Sequence, residues 1–289
     1  MPEKAKRKDI LLAYHVDEGK LRRMGNILYG QPKLNGERCY VNWFRDEPVL
    51  ISSTGHIFSY LDHIKEELIT RYKDWTIKPT LDGELYRHGW PFNRIASAAN
   101  CTVNYNPDNA YLQLHSFDMH DLSGKLPQAT RLAMLARCFS GKENATEEPL
   151  ILVPTFSVNH ENWLQTGMFL VDVGYEGLII RCTDTFYKDG RSVKMLKFKP
   201  TEADSYKIVG ITEAVSQDGD LKGMVGAFIV EDNDSKSFKV SAGKLTHEKR
   251  IFYWETRDQL LGKTLLVKHE KLKTVNGVPV CAVAVEVED

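Results

Sequence analysis

Gln31-Pro32-Lys33-Leu34-Asn35-Gly36-Glu37-Arg38 is the stretch whose reading decides the fold. Beyond it Cys39, Val41 and Trp43 alternate with polar neighbours, the period of a half-buried strand. Asn-Gly tolerates positive φ at both positions of a tight turn. The expectation is therefore strand, hairpin turn and second strand. Alone, Lys33 would be an ordinary exposed hairpin lysine. It gains meaning from the charged signatures that follow: Leu81-Asp82-Gly83-Glu84, Ser116-Phe117-Asp118, Glu176 to Arg181, and Leu196-Lys197-Phe198-Lys199.

Working outward, apolar spacing predicts strands at 49–55, 80–86, 111–118, 150–156, 176–181 and 195–200. Helices are predicted at 61–69, 92–99, 128–139 and 162–173. Arg131, Leu132, Leu135 and Phe139 share the period of the third. Near Pro200 the pattern changes to short strands separated by turn signals (Gln217-Asp218-Gly219, Asp232-Asn233-Asp234, Asn276-Gly277), with one helix near 245–257. Short strands at regular spacing predict a small antiparallel barrel. The expected domains are 1–202 and 203–289.

Composition narrows the function. The 289 residues allow one large and one small domain. With 38 Lys and Arg against 39 Asp and Glu, no global positive field announces a nucleic-acid partner, so such a surface must be local. Five scattered cysteines show no paired spacing and point to a reducing compartment rather than to disulfides or zinc. No apolar run approaches membrane-spanning length, and the basic start (Lys4 to Lys8) reads as a solvated tail rather than a signal peptide. The expectation is a soluble monomer of the cytoplasm, bacterial or of a phage-infected host cell.

The polar residues Lys33, Arg38, Glu84, Glu176, Lys197 and Lys199 each sit among apolar strand residues, so each is expected to leave a packed sheet for a shared cleft. Nucleotidyl transfer through a covalent lysine uses such a set. A lysine attacks only when neutral, and nearby cations and burial lower its pKa. The same cations, with Mg²⁺, would stabilise the charge of a departing pyrophosphate. Glu84 and Glu176 supply oxygens for a metal and a ribose, and Phe117 a flat face for a base. His115, His120, Asp118 and Asp121 could be drawn as a metal cluster, but their spacing fits no zinc pattern.

These motifs, in this order, resemble those of ATP-dependent DNA ligases of the minimal, phage-like kind. Lys33-Leu34-Asn35-Gly36 is similar to the K-x-D-G nucleophile motif, with Arg38 as its following arginine. Ser53-Thr54-Gly55, Leu81 to Leu85, Ser116-Phe117-Asp118, Glu176 to Arg181, and Arg191-Ser192 with Leu196 to Lys199 resemble the successive motifs. Leu221 to Ala227, Phe238 to Gly243 and Gly262 to Lys268 resemble the family's OB-fold domain.

The resemblance implies an α+β fold: an adenylyltransferase domain of the ATP-grasp-like DNA ligase kind with antiparallel sheets, then an OB-fold β-barrel. It implies Lys33 as nucleophile. Gln31, Pro32, Leu34, Arg38, Glu84, Phe117, Arg191, Lys197 and Lys199 would bind ATP, later held as AMP on the lysine. Glu176 and Glu84 would hold Mg²⁺. Nicked duplex DNA would meet Asn35, Ser53, Arg94, Arg181, Lys188 and Lys194, and on the barrel Lys222, Lys239 and Lys244. RNA ligases, capping nucleotidyltransferases and a non-catalytic nucleic-acid-binding relative are the alternatives.

Two departures stand out. Asn35 replaces the usual Asp. The last residues, Val280 to Asp289, lack the basic motif that orients pyrophosphate in the family, for which Lys268, Lys271 or Lys273 are candidate substitutes.

Overall fold

The computed structural model describes residues 10–121, 123–140, 147–273 and 277–288, with side chains left out at 271–273. The basic stretch Lys4 to Lys8, the turn residue Asn276 and the Lys271 and Lys273 side chains lie outside the described residues. The chain forms two compact units, Met1–Lys199 and Pro200–Asp289.

The first unit opens with β1 (Leu11–His15), α1 (Glu18–Arg22), β2 (Leu28–Lys33), β3 (Glu37–Phe44), β4 (Glu47–Ser52) and α2 (Asp62–Tyr72). Next come β5 (Leu81–Tyr86), α3 (Phe92–Ala99), β6 (Gln113–Met119) and α4 (Gln128–Cys138). It closes with β7 (Leu150–Leu152), β8 (Phe156–Val158), α5 (Trp163–Asp172), β9 (Gly177–Cys182) and β10 (Gly190–Phe198).

These strands make two five-stranded sheets, ordered β1-β10-β9-β2-β8 and β4-β3-β5-β6-β7. Neighbours are antiparallel except β1 with β10 and β6 with β7. Each sheet buries one face under helices. Leu21 of α1 and Leu170 of α5 pack on Leu178, Ile180 and Leu196 of the first sheet. Ile64 and Leu68 of α2, Ile95 of α3 and Leu135 of α4 pack on Val41, Leu81 and Leu114 of the second.

The expected hairpin at Asn35-Gly36 does not form. β2 and β3 belong to different sheets, and residues 34–36 carry the chain from one sheet to the other. Gly36 is absent from the positive-φ glycines; a Cβ there would lie 2.2 Å from the Leu85 carbonyl oxygen. Its glycine is required by close approach of two backbones, not by turn geometry. The expected strand at 150–156 likewise divides: β7 pairs with β6 in one sheet and β8 with β2 in the other.

In the second unit β11 (Thr201–Val215), β12 (Leu221–Glu231) and β13 (Ser237–Ser241) precede α6 (His247–Glu255) and α7 (Arg257–Leu260). β14 (Thr264–Lys273) and β15 (Pro279–Glu288) then close a barrel ordered β11-β12-β13-β15-β14 around Phe228, Val240, Leu265 and Val267. Five strands closed in this way, with helices between the third and fourth, form the expected OB-like barrel. No helix among the described residues is long and apolar enough to cross a membrane.

Candidate active site

A cavity of about 410 Å³ opens in the first unit, lined from both sheets. That volume suits a nucleotide-sized ligand. The first sheet contributes the face with side-chain period two: Gln31 and Lys33 from β2, Ile179 and Arg181 from β9, Met195 and Lys197 from β10. The register sets Gln31 opposite Ile179 and Ile179 opposite Lys197, while Lys33 lies opposite Gly177. The second sheet contributes Arg38 opposite Glu84, and Phe117.

Lys33 ends β2 beside Glu176, whose amide donates to the Lys33 carbonyl at 3.0 Å. One Glu176 carboxylate oxygen takes the Lys33 ammonium and the other takes that of Lys199. Glu176 is buried, whereas both lysine side chains keep nearly a fifth of their surface open. Burial, with Lys199 and Lys33 close by, lowers the pKa of Lys197. Burial also lifts the Glu84 carboxyl to about 7, against the pull of Lys33 and Arg38. A cleft with several amines around one carboxylate favours anionic ligands and eases loss of the Lys197 proton.

Arg38, Phe117 and Gln31 line the cavity as well. Arg38 donates from Nε and Nη2 to the two oxygens of buried Asp82 at 2.6 and 2.5 Å, and its guanidinium lies 4.6 Å from the Phe117 ring centre. Gln31 Nε2 donates to the Phe117 carbonyl and to Thr155 Oγ1, both at 2.9 Å. Its Oε1 is buried and has no hydrogen-bond partner among the described residues.

Arg181, expected on the DNA face, is 2% exposed. It donates to Asp118 Oδ2 at 2.8 Å, and Asp118 also receives Arg131 Nε at 2.8 Å. A guanidinium buried in an ion pair cannot reach a DNA phosphate, so Arg181 belongs to the cavity floor. Asp118 is thereby committed as a counter-ion, and burial drives the His115 imidazole down to about 3. Arg94 is exposed, but it is clasped by Asp108 at 2.7 and 2.8 Å and stacked 3.6 Å over Trp90. Lys194 pairs with Asp184 at 2.6 Å on the surface. Lys188, Lys222, Lys239 and Lys244 are exposed, and Asn35 and Ser53 half-buried.

Arg191 lines the cavity near the Tyr14 ring. Pro32 and Leu34 line it too. Sequence reasoning gave no role to Asp82, Gln128, Thr155 or Tyr187, and placed Arg131 on a helix only. The apolar period of α4 is the available signal for Arg131, which shares its buried stripe with Leu135 and Cys138.

Comparison with known proteins agrees with this architecture. Residues 11–199 match the family model described as the ATP dependent DNA ligase domain. A DNA ligase of African swine fever virus is 30% identical over 268 residues, 88% of this chain and 62% of that protein. The chain thus spans less than two thirds of the length of the curated relatives it matches. Among solved structures, a Lig E DNA ligase superposes with a TM-score of 0.75 at 24% identity, covering 96% of this chain and 98% of that one. The ATP-dependent DNA ligase of bacteriophage T7, solved with ATP, superposes with a TM-score of 0.55 at 16% identity over 97% and 98%. With the family model covering 189 of its 289 residues, the chain belongs to the ATP-dependent DNA ligase family.

Proposed function

We propose that this chain seals nicks between a 3′-hydroxyl and a 5′-phosphate in duplex DNA, as a monomer, through a covalent lysyl-AMP intermediate. The observation that carries the proposal is the meeting of Lys33 and Lys199 on the single carboxylate of Glu176, at the wall of a nucleotide-sized cavity. In the first step Lys33 gives up its ammonium proton to solvent water, its nitrogen bonds to the α-phosphorus of ATP, and pyrophosphate leaves with the electrons of the broken P–O bond. AMP then passes to the 5′-phosphate at the nick, freeing Lys33. Attack by the 3′-hydroxyl completes the strand and expels AMP.

Lys197 and Lys199 stabilise charge on the phosphates. Phe117 and Ile179 offer apolar walls to the base. The open acceptor Gln31 Oε1 suits the exocyclic amine of adenine and repels the carbonyl that guanine carries at the same ring position, which favours ATP over GTP. Glu176 and Glu84 fit Mg²⁺, which takes one or two carboxylates and completes its shell with phosphate oxygens and water. When bound, Mg²⁺ supplies Lewis-acid stabilisation of the phosphate charge. Exposed Lys188, Lys194, Lys222, Lys239 and Lys244 would contact DNA phosphates, making binding salt-dependent.

The test is covalent labelling with Mg²⁺ and α-labelled ATP or GTP, on the full chain and on Lys33→Ala, followed by a chase with nicked duplex. The expected result is label from ATP alone, absent from the variant, and discharged with sealing by nicked DNA. Label from GTP would reassign the chemistry to capping, and discharge only by nicked RNA would reassign the substrate. An AMP-free chain that takes no label would be a binding protein on a ligase scaffold.

A further inference from the structure

Tyr187 lies outside every charged signature, yet its hydroxyl reaches the acid that holds Arg38. The buried phenol donates to Asp82 Oδ2 at 2.7 Å, on the same oxygen that accepts Arg38 Nη2 at 2.5 Å. The other Asp82 oxygen accepts Arg38 Nε at 2.6 Å, so three donors from two residues fix the carboxylate plane. Arg38 also donates to the Leu11 carbonyl at 3.4 Å. Arg38 and Asp82 belong to one sheet. Tyr187 comes from the connection between β9 and β10 of the other, so this hydroxyl ties the sheets together beside the cavity.

The phenol is itself immobilised, with the Arg131 guanidinium 5.4 Å from its ring centre and the His120 ring at 5.4 Å. Burial, and then the charge of Asp82, hold its pKa well above that of free tyrosine, so it stays a donor.

We propose that Tyr187 is a positioning residue for nucleotidyl transfer: by orienting Asp82, it holds the Arg38 guanidinium against Phe117 at the cavity wall. The proposal rests on the reading of Lys33 as an adenylated nucleophile. Without the hydroxyl, Asp82 keeps its charge and its partner but loses the donor that sets its rotation, and Arg38 turns with it.

The experiment is single-turnover self-adenylation at saturating α-labelled ATP for the full chain, Tyr187→Phe, Arg38→Ala and the double variant. Tyr187→Phe is expected to label about tenfold more slowly, the loss of one hydrogen bond to a charged group, with a melting temperature lower by only a few degrees. If Tyr187 acts through Arg38, its loss adds nothing in the Arg38→Ala background, whereas a general structural role would slow both backgrounds equally. Arg38→Lys serves as the second background should Arg38→Ala label too slowly to time. A wild-type rate for Tyr187→Phe, or additive slowing in the double variant, overturns the proposal while leaving Lys33 chemistry standing. No label on the unmutated chain overturns both.

Discussion

Beside the cavity a single carboxylate, Glu176, serves two lysines that line it; behind its wall Asp118 serves two arginines, of which Arg181 lines it. The stoichiometry is the same and the physics is opposite. Around Asp118 the side chains are at most 2% exposed. Arginine cannot lose its proton in a protein, so that cluster carries a fixed charge and can only hold shape. Around Glu176 the cations are amines with access to the cavity, and an amine can shed its proton. Charge count does not separate scaffold from the proposed reaction centre. The ability to change charge does, together with access.

Breaking each acid in turn is the sharpest way to test this contrast. Asp118→Asn strands two buried guanidinium groups and is expected to cost about 3–5 kcal/mol of stability, read as a fall in the urea midpoint. An unchanged midpoint would erase the distinction. Glu176→Gln is expected to leave the midpoint nearly untouched, because Lys33 and Lys199 can turn toward solvent, while self-adenylation falls about a hundredfold or more. Equal loss of stability in both variants would make Glu176 a structural acid as well.

Glu84 refines the reactive side. Its carboxyl, lifted by burial from 4.5 to about 7, binds a proton in the folded chain that the unfolded chain lacks across that interval. Stability contributed at this position therefore falls as pH rises from 4.5 through 7. Glu84→Gln should raise the melting temperature most above pH 7, with the gain fading toward pH 4.5 in a series of thermal scans. A gain independent of pH would mean that the carboxylate is not what burial penalises. The smallest effects belong to the surface. Lys222→Ala and Lys239→Ala should each lower the slope of log K against log salt for nicked DNA by about 0.9 if each touches one phosphate.

Much of the charged side of the site was legible because short strand segments carry it: period two puts Gln31 with Lys33 on one face, and Lys197, with Lys199 just past the end of its strand, lines the same cavity. What could not be read was the identity of each residue's partner. Arg181 follows an apolar run just as a phosphate-binding arginine would; only the fold brings Asp118, 63 residues earlier in the chain, against it. Asn35-Gly36 obeyed local turn grammar and was misread because the demand on Gly36 comes from Leu85, distant in sequence. Strand 150–156 failed for a related reason, since one apolar run feeds two sheets through Val153, Pro154 and Thr155. Tyr187 sits in a connection with no periodicity to mark it.

The parallel pairing of β1 with β10 sets His15 opposite Lys197, so the start and finish of the first unit lie side by side. A chain emerging from the ribosome N-terminus first must hold β1 without its partner strand until nearly the whole unit has been made. Lys33 is therefore synthesised before its partners: Glu176 and Lys199 arrive more than a hundred and forty residues after it. Truncated translation products ending before that point carry Lys33 without either partner. The order of synthesis thus leaves the ion-pair cluster at Lys33 among the last parts of the unit to assemble.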